Sequence, residues 1–114
     1  MYDLRLLFTD GIYEFDTYEF GRDVPFKIFK SDDTAFDLTG YTVVIRLLDD
    51  SFAQDINDIT PTIATPSSGA GIFEFTSSNR PTVEGYYYVE AKLTKSGEQR
   101  YAISPRVYVH PSPD

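Results

Sequence analysis

The sequence contains no cysteine and a single histidine, His110. Without cysteine the chain can form neither a disulfide framework nor a thiolate metal site, so its fold must rest on packing alone. A catalytic triad or a zinc centre needs several imidazole, thiolate or carboxylate groups brought together, and one histidine in a proline-rich tail predicts neither. The acidic pairs Asp32-Asp33 and Asp49-Asp50 lack the spacing of a calcium loop. We therefore expect no metal site, no cofactor and no enzymatic activity.

Positive charge is also scarce, with 10 basic against 18 acidic residues and a net charge of −8 at pH 7. A surface that binds nucleic acid needs clustered Lys or Arg to neutralise phosphates, and the field of this chain has the opposite sign. Long apolar runs are absent too, because no stretch approaches the roughly 18 residues that a membrane-spanning helix requires. We expect neither nucleic acid nor a membrane among the partners.

Aromatic rings are what the chain has in excess, with nine tyrosines and nine phenylalanines among 114 residues. Short runs in which apolar and polar residues alternate are separated by turn signals such as Asp10-Gly11 and Ser96-Gly97. Alternation at period two predicts strands, and no long stretch keeps a helical period. The predicted fold class is all-β: an antiparallel immunoglobulin-like β-sandwich of about seven strands plus an N-terminal hairpin.

Three segments are expected along the chain. Residues 1–20 predict a hairpin or docking segment, because two apolar runs flank the turn at Asp10-Gly11. Residues 21–109 are predicted to form the sandwich itself. Residues 110–114 predict a linker-like tail, since two of these five residues are proline.

The stretch FDLTGYTVVIRLLDD, residues 36–50, changes from polar to strongly apolar within a few positions. Asp37 and Thr39 can hydrogen-bond the backbone of a tight turn, Gly40 can adopt a positive φ, and Leu38 can close one end of the sandwich. We predict a corner that leads into a central strand. The predicted core includes Leu38, Val43, Ile45, Phe73, Phe75, Tyr87 and Val89.

A second corner is predicted at residues 83–89. In immunoglobulin-like domains a Gly-x-Tyr-x-Cys run precedes an inner strand, and the tyrosine hydroxyl bonds back to the preceding turn. Gly85, Tyr87 and Val89 hold these three positions here. Tyr86 and Tyr88 are then expected to face away from the core.

Apolar residues without an evident place in the core are candidates for a binding surface. Rings exposed on a sheet face bury at protein interfaces or stack on sugars. The alternative is that a second sheet or the N-terminal segment covers them. The candidate interface residues are Tyr2, Leu4, Leu6, Phe8, Tyr13, Phe15, Tyr86 and Tyr88.

Five short motifs follow one another between about Phe20 and Val109. They are GRDVPFKI at residues 21–28, FDLTGYTV at 36–43, GIFEF at 71–75, GYY at 85–87 and a last strand that ends VYV at 107–109. In this order the chain resembles the N-terminal domain of phage baseplate upper proteins, an immunoglobulin-like module of phage tails and prophages.

This resemblance implies a structural protein of the virion that anchors receptor-binding or fibre components to the tail, with no catalytic residue. The expected partners are other tail and baseplate proteins, and the expected state is a homo-oligomer within the assembly. The expected location is the tail or baseplate of the virion, after synthesis in the host cytoplasm.

Two other functions remain open at this point. The first is a carbohydrate-binding or adhesin-type sandwich in which Tyr86, Tyr88 or Tyr108 stacks on a host-surface sugar. The second is a spacer domain without a specific ligand.

Overall fold

The structure is a computed structural model that describes residues 3–111, with side chains except those of residues 54–57. Within this range there are nine strands, one short 3₁₀ turn at Pro66–Ser68, and no α-helix. The strands are β1 (Leu4–Phe8), β2 (Glu14–Asp16), β3 (Val24–Phe29), β4 (Thr42–Asp49), β5 (Gln54–Ile59), β6 (Ala70–Phe73), β7 (Gly85–Lys95), β8 (Glu98–Ile103) and β9 (Val107–His110).

The strands form one continuous sheet that folds over itself into two layers. In the larger layer β7 pairs with β4 along one edge, and with β9 and then β8 along the other. β5 extends this layer beyond β4, and β2 extends it beyond β9. The smaller layer holds β1, β3 and β6. This division of strands is that of an immunoglobulin-like sandwich, so the predicted fold class is confirmed.

The pairing is mixed and not purely antiparallel, because β1 runs parallel to β8 and β2 runs parallel to β9. Both parallel pairs involve the first two strands. They place the N-terminal segment against the last part of the chain. Through its pairing with β3 and β8, β1 joins the two layers along one side of the sandwich.

The predicted hairpin over residues 1–20 is not what the structure shows. β1 and β2 pair with other strands of the sandwich and not with each other. Pairing with β3 and β8 places the alternating face of β1, which holds Leu4, Leu6 and Phe8, over the core. The expected boundary at residue 20 therefore does not separate a docking segment from the sandwich.

All seven predicted core residues are buried, as expected. Much of the core is a phenylalanine cluster, which we define as Phe8, Phe15, Phe26, Phe73 and Phe75. The rings of Phe15 and Phe75 meet edge to face with centroids 4.9 Å apart, and those of Phe73 and Phe75 do so at 5.7 Å. Burial of each such ring stabilises the fold by about 1.5–3 kcal/mol. The cluster joins the two layers, since Phe15 lies on β2 and Phe73 on β6.

The predicted corner at residues 37–41 is confirmed. The Asp37 carboxylate accepts hydrogen bonds from the backbone N–H and the hydroxyl of Thr39, at 2.9 and 2.6 Å. These bonds, from the hydroxyl first and the N–H second, hold the pKa of Asp37 below its usual value. Gly40 has a φ of +85°, which favours glycine, and Leu38 is buried. The corner therefore turns the chain into β4 as expected.

The second predicted corner is also present. The buried Tyr87 hydroxyl donates a hydrogen bond of 2.6 Å to the carbonyl of Val83, four residues earlier. This is the tyrosine corner of immunoglobulin-like domains. It fixes the start of β7, so that Tyr87 and Val89 point inward and Tyr86 and Tyr88 point outward.

Candidate binding surface

The outer face of the larger layer carries the exposed rings. Because side chains alternate along a strand, Tyr86 and Tyr88 share the face of β7 that points away from the core. The register places Tyr86 directly beside Tyr108 of β9. In turn, Glu14 of β2 lies beside Tyr108. Three neighbouring strands therefore contribute to one surface.

Five ring side chains form a row across this surface, which we call the aromatic strip. Phe52 stacks on Tyr88 with ring centroids 4.7 Å apart and planes 15° from parallel. Tyr86 packs on Tyr108 at 5.1 Å, and Tyr108 meets the edge of the His110 ring at 4.4 Å. The strip thus consists of Phe52, Tyr88, Tyr86, Tyr108 and His110.

Phe52 reaches the strip through an uncommon backbone conformation. Its φ is +66°, in the left-handed region that a bulky side chain rarely adopts and that costs about 1–3 kcal/mol. The turn is held by Asp49, whose carboxylate accepts hydrogen bonds from the Ser51 hydroxyl at 2.6 Å and from the N–H of Ala53 at 3.1 Å. The result is a phenyl ring that is 51% exposed and rests on Tyr88 instead of in the core. Such strain, held by a dedicated turn, is typical of functional positions.

A cation already lies on the strip. The Arg106 guanidinium lies 4.4 Å from the centroid of the Tyr86 ring, and Tyr86 remains 49% exposed. Tyrosine and arginine are the residues that most often carry the binding energy of protein interfaces. Beyond Tyr88 the same face of the sheet becomes polar, because Arg46 forms an ion pair with Glu90 at 3.7 Å. The aromatic strip is therefore a bounded patch at one end of the layer.

Carboxylates flank both ends of the strip. At one end, the Glu14 carboxylate of β2 contacts the Nε2 atom of His110, and Asp16 lies beside His110 in the register. At the other end lie Asp49 and the exposed Asp50. Hydrogen bonds from the Ser51 hydroxyl, from the Ala53 N–H and from the Ser51 N–H keep the pKa of Asp49 below its usual value. Acidic side chains therefore stand at both ends of the strip.

An open pocket of about 390 Å³ adjoins the His110 end of the strip. Glu19 and Arg22 form an ion pair on one side of it. The same two side chains cover the free edge of β2, because Glu19 accepts the N–H of Asp16 at 2.8 Å and Arg22 donates to the carbonyl of Glu14 at 2.9 Å. The pocket is lined by Ile12, Glu14, Phe15, Asp16, Glu19, Arg22 and His110.

The structure divides the predicted interface residues into two groups. Tyr86 and Tyr88 lie together in the aromatic strip, with Tyr108. By contrast, Leu4, Leu6, Phe8 and Phe15 are buried in the core, so their prediction as interface residues is corrected. Tyr13 is partly buried and stacks on Phe8, and its hydroxyl oxygen accepts the Phe8 N–H at 3.1 Å. Tyr2 lies outside the described residues.

Two members of the strip, Phe52 and His110, were not predicted from the sequence as site residues. Phe52 follows the acidic pair Asp49-Asp50 in a turn, where a lone aromatic residue flanked by polar ones is a signal for exposure. His110 extends the alternation of Val107 and Val109 in β9, so its outward direction could have been inferred from that pattern.

A second exposed aromatic group lies in the loop after β2. Tyr18 and Phe20 are exposed, and the Arg80 guanidinium lies 5.4 and 5.1 Å from their ring centroids. Arg80 also donates a hydrogen bond of 2.9 Å to the carbonyl of Tyr18. The two rings therefore hold Arg80 between two loops of the same chain.

Within residues 3–111 no helix is long and apolar enough to cross a membrane. Among the described side chains, no group of three or more histidine, aspartate or glutamate residues is placed to hold a metal ion.

Comparison with known proteins finds distant structural likeness among solved structures and no match elsewhere. No family model matches the chain, and no curated protein matches it. Among solved structures, the filamin domain of Lin-41 is similar over 91% of this chain and 93% of that one, with 10% sequence identity and a TM-score of 0.44. A similarity at that level adds nothing to what the strand order of this chain establishes by itself.

Proposed function

We propose that this chain is a non-enzymatic assembly domain of a phage or prophage tail baseplate, where it anchors receptor-binding or fibre components. The observation that carries the proposal is the aromatic strip, a row of exposed and half-buried rings on the outer face of a sandwich that has a separate buried core. A set of tyrosines beside an arginine has the composition of a protein-binding hot spot. The partners are other tail proteins, and copies of this chain associate within the assembly.

The phage context rests on the order of the sequence motifs that resemble baseplate upper proteins. Those motifs lie in parts of the molecule that build the fold. FDLTGYTV forms the first corner and the start of β4, and GYY leads into β7 at the tyrosine corner. The resemblance thus concerns architecture, and the strip supplies the surface through which such an architecture acts.

Sugar binding is the competing function, and the half-exposed ring of Tyr86 is the observation in its favour. A sugar stacks on a flat ring face that is open to solvent. In the strip, however, Phe52 and Tyr88 stack on each other, and Arg106 covers part of Tyr86. Because neighbouring groups already use these faces, the strip suits a protein surface better than a sugar ring.

Immunogold electron microscopy tests the location. An antibody against the purified chain should label the tail tips of particles released from cells that express the gene, with an antibody against the capsid as the positive control. Intact tailed particles without tail label, in a culture whose soluble fraction contains the protein, would contradict the proposal.

A glycan array tests the competing function with the purified protein. We expect no glycan to bind above the level of a variant that lacks Tyr86 and Tyr108. A glycan that binds the protein and is lost from the Tyr86→Ser/Tyr108→Ser variant would replace assembly by sugar recognition as the function of the strip.

A further inference from the structure

The charges around the aromatic strip determine which kind of partner segment it can accept, and the inference that follows rests on the proposed function. Glu14 and Asp16 flank one end, and Asp49 and Asp50 flank the other. The chain as a whole carries a net charge of −8. An acidic segment or a phosphate group that approached the strip would meet repulsion at both ends.

The pocket at the β2 end contains a carboxylate that the fold does not use. Glu19 is paired with Arg22, and Glu14 with His110. The exposed Asp16 carboxylate has no cationic partner among the side chains that the structure describes. Because Asp16 lies beside His110 in the register and lines the pocket, it faces the end of the strip.

The rings of this protein also accept cations. Arg106 lies over Tyr86 at 4.4 Å, and Lys95 lies over Tyr41 at 4.8 Å, both within the range of a cation–π contact. A lysine or arginine from a partner can make the same contact with the parts of the Phe52 and Tyr86 rings that their neighbours leave exposed. The rings and the carboxylates of the strip therefore both favour a lysine or arginine side chain from a partner.

We propose that the occupant of the strip is a basic polypeptide segment of a partner protein. One of its lysine or arginine side chains enters the pocket at the β2 end and pairs with Asp16. Its neighbouring residues lie across Tyr108 and Tyr86. Charge complementarity requires the partner segment to be positively charged, and the ring surface supplies the contact area.

Selection from a displayed library of random peptides of about twelve residues tests this inference, since such a length spans a sheet face. Peptides are selected on the wild-type protein and depleted on the Tyr86→Ser/Tyr108→Ser variant, which leaves strip-dependent binders. We expect these to be enriched in lysine and arginine relative to the unselected library. Binding of one such peptide, measured by fluorescence anisotropy, should weaken on raising NaCl from about 0.05 to about 0.5 M.

The Asp16→Asn variant makes the test specific. It should weaken binding of the selected basic peptide about two- to fivefold, the loss expected for one solvent-exposed ion pair. The matched control is Asp23→Asn, since Asp23 is exposed and lies outside the pocket. That variant should bind as the wild type does.

Two results would overturn the inference and also separate it from the proposed function. Strip-dependent peptides without basic enrichment, bound equally well by Asp16→Asn, would refute the basic partner and leave docking on the strip intact. If no strip-dependent peptide emerges, the inference is refuted as well. In that case the immunogold result decides independently whether the tail function stands.

Discussion

The phenylalanine cluster and the aromatic strip are both sets of five rings, and they differ in chemistry, geometry and exposure. The cluster contains only phenylalanine, is buried, and meets largely edge to face between the two layers. The strip contains three tyrosines and one histidine, lies on one outer face, and has charged groups at its ends. Phenyl rings without a polar group suit a dry core, whereas a hydroxyl or imidazole keeps a contact with water.

Under the proposed function, the buried cluster serves stability and the strip serves recognition. The fold places the five phenyl rings of the cluster where two layers meet, and each of these buried rings adds to the free energy of unfolding. By contrast, the strip includes Phe52, whose strained backbone lowers the stability of the fold. Substitutions in the cluster should therefore lower the free energy of unfolding, whereas substitutions in the strip should leave the fold intact and weaken partner binding.

The largest effect should come from deleting residues 1–17. That deletion removes β1 and β2, including the buried Leu4, Leu6, Phe8 and Phe15. Because these side chains complete the core, we expect the shortened chain to be unfolded, as measured by circular dichroism and thermal melting. A cooperative melting transition close to that of the intact chain would show that the segment is a separable docking arm.

The next largest effect is the difference in stability loss between a ring removed from the cluster and a ring removed from the strip. Phe73→Ala should lower the free energy of unfolding by about 3–5 kcal/mol, because it leaves a cavity between the layers. Tyr86→Ala should lower it by no more than about 1 kcal/mol, because half of that side chain is already in water. Denaturant unfolding of both variants measures the difference. Equal losses would remove the distinction between core and strip.

A smaller effect is expected at the tyrosine corner. Tyr87→Phe keeps the buried ring and removes the hydroxyl that bonds to the Val83 carbonyl, so the free energy of unfolding should fall by about 1 kcal/mol. The control is Tyr101→Phe, because the Tyr101 hydroxyl accepts a hydrogen bond from the exposed Gln99 side chain. Denaturant unfolding should show a loss in the first variant and a change within about 0.5 kcal/mol in the second. A larger loss in Tyr101→Phe than in Tyr87→Phe would show that the bond from Tyr87 to Val83 does not stabilise the fold.

The smallest expected effect is on the loss of stability at acidic pH. The folded pKa of Asp37 is lowered from 3.8, first by the Thr39 hydroxyl, so its contribution to stability is present above the unfolded pKa and is lost as pH falls through the folded value. We expect stability to decline less steeply below pH 3.8 in Asp37→Asn than in the wild type. Thermal melting between neutral and acidic pH measures this. Parallel curves would assign the acid sensitivity to other carboxylates.

Local patterns were sufficient to predict much of the core and both corners. In β7 the alternation of Tyr87 and Val89 with Tyr86 and Tyr88 gives both faces of the strand directly. The turn chemistry of Asp37, Thr39 and Gly40 is likewise contained within a few residues. Such features depend on neighbours in the sequence, which is why the sequence predicts them.

The features that were missed depend on partners far away in the chain. Alternation shows that residues 4–8 form a strand, but it does not show that the strand pairs with β3 and β8 instead of β2. The parallel pairing of β2 with β9 brings Glu14 to His110 from the two ends of the chain. Phe52 joins the strip because its turn has a positive φ, a backbone state that hydrophobic patterning does not reveal.

Under the proposed tail function, the most direct test of the separation between core and strip is the incorporation of the Tyr86→Ser/Tyr108→Ser variant into tail particles, measured by quantitative immunoblotting of purified particles. The matched control is Ile72→Ser, which changes an exposed apolar residue on the opposite layer. If the strip is the docking surface, the double variant folds and remains in the soluble fraction, while the control is incorporated as the wild type is. Incorporation of the folded double variant at the wild-type level would contradict the account.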